Sequence, residues 1–173
     1  MTRAKFSSSY LGGHLLIAMP NMQDPRFAKT VIFMCAHTAD GAMGLVINKL
    51  FGSLSFPDLL AQLNIESGSI SDQIRVHFGG PVESGRGFVL HSVDYVRDGT
   101  LVVNSGFALT ATVDILKAIA EGQGPRQSLL ALGYAGWGPG QLESEITANG
   151  WLHVPADPEL VFDSEVTNKW ERA

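Results

Sequence analysis

Apolar positions along this chain fall mostly in short runs. His14-Leu15-Leu16-Ile17-Ala18-Met19 is apolar up to Pro20 and suits a strand or a short helix. Val31-Ile32-Phe33-Met34-Cys35-Ala36 shows no alternation, the pattern of a strand covered on both faces. Thr38-Ala39-Asp40-Gly41 reads as a hairpin turn, and Gly44-Leu45-Val46-Ile47 as the return strand. Ile74, Val76 and Phe78 alternate with Arg75 and His77, which predicts a half-buried strand ended by Gly79-Gly80-Pro81. Gly87–His91, Thr100–Val103, Gln127–Ala135 and Trp151–Val154 predict further strands, with Asp98-Gly99 as a turn.

Helical spacing is confined to three places. Ser55 caps a helix over 56–63, where Leu59, Leu60 and Leu63 share a face. Thr110 reads as the cap of a second, carrying Val113, Leu116, Ile119 and Ala120 and stopped by Gly122. A third covers 141–148 and ends at Asn149-Gly150. Asp24-Pro25 and Asp157-Pro158 open turns, and 164–173 suits a helical tail anchored by Trp170. Residues 1–13 read as a flexible arm with a Gly12-Gly13 hinge. Strands joined by short turns, with helices between some of them, predict one α+β domain built on a mixed sheet.

The densest punctuation lies at Gly133-Tyr134-Ala135-Gly136-Trp137-Gly138-Pro139-Gly140-Gln141-Leu142-Glu143. It reads as a strand that stops sharply, a tight turn, and a helix starting at or near Pro139. The expectation is that main chain here lies close against neighbouring segments, with Tyr134 and Trp137 packing the turn.

Composition narrows the function classes. The chain has 173 residues, enough for one sizeable core. Net charge is −5, with Lys and Arg scattered, so bulk charge opposes nucleic-acid binding. No apolar run approaches the ~18 residues of a membrane span, and no signal core follows the start. The single cysteine, Cys35, excludes an intrachain disulfide and fits a reducing cytoplasm; mid-strand among apolar neighbours, it reads as buried and inert.

No catalytic constellation stands out. The five histidines show no metal-ligand spacing, and no serine sits in a Gly-x-Ser-x-Gly elbow. His37 and His91 both close apolar strands, which allows them to meet at one sheet end. The glycine-rich turn is the leading site candidate, with Gly79-Gly80-Pro81 and Arg86-Gly87 as a second wall. Arg86 there either pairs with Glu143 or holds an acidic ligand. The expected ligand-binding residues are therefore Tyr134, Trp137, Gln141, Arg86, His37 and His91, with no catalytic residue, metal or cofactor.

Several stretches together resemble the AlgH/YqgE family of bacterial proteins. They are Leu15–Pro20, Asp24–Phe27, Gly41–Asn48, Gly79–Val82, Arg86–His91 and Leu132–Glu143. The chain departs from the family pattern at Ala36-His37-Thr38, where the pattern has Glu-His-Asn, and at Lys49-Leu50, where it has Arg-Pro. The resemblance implies a mixed, mostly antiparallel and partly barrel-like sheet flanked by short helices. It also implies a cytoplasmic protein with no established enzymatic activity; one member is named for a proposed role in transcription. Three readings follow, in order. The first is a non-enzymatic domain binding a protein or small ligand, with indirect regulation. The second is a direct transcriptional regulator. The third is an enzyme near Trp137, with His37 or His91 as acid–base and Arg86 as anion clamp.

Overall fold

The computed structural model describes residues 11–20, 27–50, 55–62, 64, 75–104, 106–162 and 169–172. Strands β1 (His14–Ala18), β2 (Val31–Thr38), β3 (Gly41–Val46), β4 (Val76–Phe78), β5 (Val82–His91), β6 (Thr100–Val102), β7 (Ala108–Thr110), β8 (Ser128–Trp137) and β9 (Trp151–Pro155) form one nine-stranded sheet. Helices α1 (Phe56–Gln62), α2 (Val113–Ala120), α3 (Gln141–Thr147), α4 (Pro158–Val161) and α5 (Lys169–Arg172) flank it. The order is β6-β7-β5-β8-β3-β2-β1-β9, antiparallel throughout, while β4 pairs β8 in parallel. The fold is thus α+β with a mostly antiparallel sheet curled into a half-barrel, as expected.

The curl follows from where β3 leaves β8. The two strands pair only at Ala42–Gly44 against Ala135–Trp137. Further along β8, the same edge is taken by β4 at Leu130–Leu132. Gly79 then bridges the split: its N–H donates to Leu132 O at 2.8 Å, and its carbonyl accepts from Val46 N–H at 2.8 Å.

Three apolar clusters fill this frame. Phe33, Leu45, Leu90, Phe107 and Ala131 lie in the cluster on the concave face. On the convex face, α1 and α2 cover β5 and β8 through Leu60, Leu116, Val89 and Leu130. Leu142 of α3 covers the other half against Ile32, Met34 and Trp151. The unalternating run in β2 is explained: Val31, Phe33 and Cys35 face inward, while Ile32 and Met34 face outward. Burial drives the Cys35 thiol up to about 12, which keeps it protonated and unreactive.

Several local expectations hold. Ser55 and Asp58 form a reciprocal capping box, each backbone N–H bonding the other's side chain at 3.2 Å. Ala39 and Asp40 close the β2–β3 hairpin, with Thr38 paired to Gly41. Gly122, at φ 77°, stops α2. The Trp170 indole donates to Ala18 O at 2.8 Å and so anchors the tail.

Others need correction. Thr110 does not cap α2; it lies in β7, and Thr112 is the N-cap. A three-residue strand carries too little pattern to be seen before a helix. His77 does not face solvent, because β4 lies between β8 and residue 50; it is 6% exposed. The Asp24-Pro25 turn, Leu63, Ile74, residues 1–10 of the arm and 164–168 and 173 of the tail lie outside the described residues. Gly13 is buried, and its N–H donates to Met34 O at 2.9 Å.

Burial of His77 has a consequence for pH. Desolvation, with the Lys169 charge second, pushes its imidazolium down to about 4 from the ordinary 6.5. The unfolded chain therefore takes up this proton first on acidification, and stability rises with pH across that window. The contribution is complete above pH ~6.5 and falls away toward pH ~4, by about 3 kcal/mol for His77. His91, also lowered by desolvation, acts in the same direction. Urea midpoints measured between neutral pH and about pH 4 test this, since His77→Gln removes the proton uptake and flattens that part of the slope.

Candidate functional site

The glycine-rich stretch is not a strand that stops. β8 continues through it to Trp137, and the helix begins at Gln141, as its spacing predicts, directly after Gly140 at φ 73°. Gly133, at φ 78°, makes a bulge that exchanges the two faces of the strand. Before it, Leu129 and Ala131 face inward; after it, Tyr134 faces inward while Ala135 and Trp137 turn outward. The β2–β3 register shifts between Met34 and Ala36, with a matching effect. Past that shift, Ala36 and Thr38 face inward, and His37 lies under α3 on the convex face.

These shifts shape one end of the half-barrel. The other end is closed by Leu160, Val161 and Phe162 of the α4 region and by Lys169, whose buried ammonium donates to Ile47 O and Val161 O at 3.2 and 2.9 Å. At the Thr38 end small residues replace large ones on the inner face. A cavity of about 700 Å³ opens there, lined by Ala36, Met43, Arg86, Phe88, Leu109, Tyr134 and Trp137, among others. Its walls are mainly apolar. The Arg86 guanidinium lies 5.0 Å over the Phe88 ring, and Tyr134 packs edge-on against Phe88 at 5.8 Å. Asp40 also reaches the lining. The Tyr134 hydroxyl donates to Glu83 Oε2 at 3.3 Å.

A second cavity of about 470 Å³ adjoins it, sharing Val82, Gly136 and Trp137 as a wall. Phe27, Pro81, Gln141, Glu145 and Trp151 line its other sides. Glu145 organises this region. Its Oε1 accepts from the indole N–H of Trp137 and of Trp151, each at 3.0 Å. Its Oε2 accepts from the Gln141 amide at 3.1 Å. Gln141 Oε1 in turn accepts from Gly138 N–H at 2.9 Å, fixing the turn before α3.

The expected site residues therefore divide. Arg86, Tyr134 and Trp137 meet at the larger cavity, while Gln141 joins Trp137 at the smaller one. His37 is buried beneath α3, with Nε2 3.2 Å from Glu143 Oε2. Glu143 is thereby the partner of His37, not of Arg86. His91 lies at the far end of β8, opposite Ser128, whereas His37 pairs with Ala42 beside Trp137. From Ser128 to Trp137, at about 3.3 Å per residue, the span is about 30 Å. The two histidines do not share a sheet end.

His91 has a structural place. Its Nδ1–H donates to Ser92 O, and its Nε2 accepts from the Thr110 hydroxyl, both at 2.8 Å. Among the described residues, no group of three or more His, Cys, Asp or Glu side chains is disposed to hold a metal ion. No helix among them is long and apolar enough to cross a membrane.

Sequence reasoning missed Glu145, Trp151 and Phe27 as cavity residues. Two tryptophans flanking one short helix with a mid-helix glutamate were the available signal.

Comparison with known proteins agrees with this architecture. A UPF0301 protein of Afipia carboxidovorans is 57% identical over 174 residues, covering 96% of this chain and 83% of the relative. A UPF0301 protein of Rhodospirillum rubrum is 58% identical over 164 residues, covering 95% and 85%. The solution structure of the AlgH protein from Pseudomonas aeruginosa superposes with a TM-score of 0.82 at 44% identity, covering 94% of this chain and 86% of that one. A Corynebacterium diphtheriae protein, at 20% identity and a TM-score of 0.76, shares the fold; it covers 94% of this chain and 84% of its own. The profile of the family described as AlgH-like matches residues 15–173, and the chain belongs to that family.

Proposed function

We propose that this protein is a binding domain rather than an enzyme, and that the larger cavity takes a small apolar ligand bearing an acidic group. One observation supports this above the rest: a concave, largely apolar cleft of about 700 Å³ has the exposed Arg86 guanidinium at its lining. Few polar groups set into an apolar hollow are the usual composition of a small-molecule site. Arg86 offers a planar fork suited to carboxylate or phosphate, and its stacking on Phe88 orients it. Among the described residues that line it, the larger cavity brings no histidine or cysteine beside a serine or threonine. In this reading the protein works in the bacterial cytoplasm, and any effect on transcription runs through the bound ligand or a partner. A net charge of −5 supports that indirect route over direct DNA binding.

The test is a fluorescence titration with the anionic dye anilinonaphthalene sulfonate, displaced by octanoate. Arg86→Gln is expected to weaken octanoate binding about tenfold, the loss of one charge-assisted contact. Equal binding by the variant, or no displacement, overturns the assignment. A substrate turned over by the wild type and lost in folded Trp137→Phe would restore the enzyme reading. Sequence-selective, salt-sensitive DNA binding would favour direct regulation instead.

A further inference from the structure

The smaller cavity carries different chemistry. Phe27, Trp137 and Trp151 stand around it as crossed aromatic walls. Phe27 and Trp151 meet at 5.9 Å and 69°, and Trp137 and Trp151 at 6.2 Å and 81°. Glu145 lies among them, its carboxylate held by two indole N–H groups and the Gln141 amide. All three donors are neutral, so the negative charge is not cancelled. Among the described residues no Lys, Arg or His pairs with it, and the described lining brings no cation. An indole that donates its N–H to an anion gains electron density on its ring face, which makes that face more attractive to a positive charge. Crossed aromatic faces beside a fixed carboxylate suit a cation that is bulky and weakly hydrated, because its charge is shared with ring faces. A primary ammonium would demand directed acceptors instead.

We propose that this cavity binds a small organic cation with a methylated ammonium head. The methyl groups lie against the half-buried Phe27 ring and the accessible part of Trp137, with the buried Trp151 ring behind them, and Glu145 supplies the compensating charge. About 470 Å³ accommodates such a head with a short tail. The assignment is independent of any ligand in the larger cavity.

The experiment follows the indole N–H resonances of the full chain by NMR during titration with choline. The neutral isostere dimethylbutanol, of the same shape without the charge, runs in parallel. The proposal expects a saturable choline shift, with dimethylbutanol about tenfold weaker. Glu145→Gln keeps an acceptor for both indoles and so keeps the fold, but is expected to weaken choline about tenfold. Phe27→Leu, which removes one wall outside the sheet, weakens choline as well. Co-sedimentation with phosphatidylcholine vesicles tells the two sources of such a head apart. Vesicle binding displaced by choline assigns a lipid head; choline binding without vesicle binding assigns a soluble cation. Equal affinity for choline and its isostere overturns the proposal, as does the lack of a saturable shift with choline in the millimolar range.

Discussion

Gly80→Ala is expected to destabilise the domain by about 4 kcal/mol and lower its melting temperature by about 10 °C. Gly80 has φ 152°, and a Cβ built there would lie 2.2 Å from Tyr134 C, 2.3 Å from Tyr134 O and 2.5 Å from Ala135 N. All three are backbone atoms of β8, so no side-chain rotation relieves the overlap. The main chain of Tyr134–Ala135 must move, and with it the wall of both cavities. Gly41 makes a similar approach on the other side, where a Cβ would meet Trp137 O at 2.6 Å. Gly85→Ala is the control: nothing lies within 4 Å of its Cβ position, so its cost stays within about 0.5 kcal/mol. Thermal unfolding of the two variants decides the matter. If Gly80→Ala melts with Gly85→Ala, the close packing of main chain around Tyr134 is wrong.

Glu145→Leu is expected to cost about as much, roughly 4 kcal/mol, for a different reason. Trp137 and Trp151 are 7% and 2% exposed, and both point their N–H groups at one carboxylate oxygen. Leucine fills the space but accepts nothing. Two buried donors then lose their partner at about 1–3 kcal/mol each, and the Gln141 amide loses its acceptor one turn along α3. Glu145→Gln keeps a carbonyl for the indoles and should cost only about 1 kcal/mol. Urea unfolding gives the stabilities, and near-ultraviolet circular dichroism reports whether the tryptophans stay ordered. A Leu variant as stable as the Gln variant would show that the indoles do not depend on this carboxylate.

What the sequence made visible was local. Asp40-Gly41 marked the hairpin, Ser55 with Asp58 marked a capped helix, and Gly122 and Asn149-Gly150 marked helix ends, because each signal acts within a few residues. The bulge at Gly133 was hidden, since a glycine in a strand becomes a bulge only through its partners, here Val82 on one side and Ala135's partner Gly44 on the other. That bulge decides which of Tyr134 and Trp137 faces the inner cavity wall. The grouping of His37 with His91 failed because both close apolar runs, while the strand order sends those ends in opposite directions. Glu145 sits in a short polar helix, where a glutamate carries no signal of its own. Its partners lie eight and six residues away on two strands, and only the folded sheet brings them to it. Arg86, Tyr134 and Trp137 were legible as neighbours because Gly79-Gly80-Pro81 and the glycine-rich run both signal close backbone approach.

Nitrogen–proton correlation spectra recorded during octanoate titration address most directly whether the open end of the half-barrel is a binding site. The account predicts saturable shifts centred on Ala36, Thr38, Arg86, Leu109 and Gly136, lost in Arg86→Gln. Shifts centred instead on the exposed face of β9, at Leu152 and Val154, or no shifts at all, would contradict it.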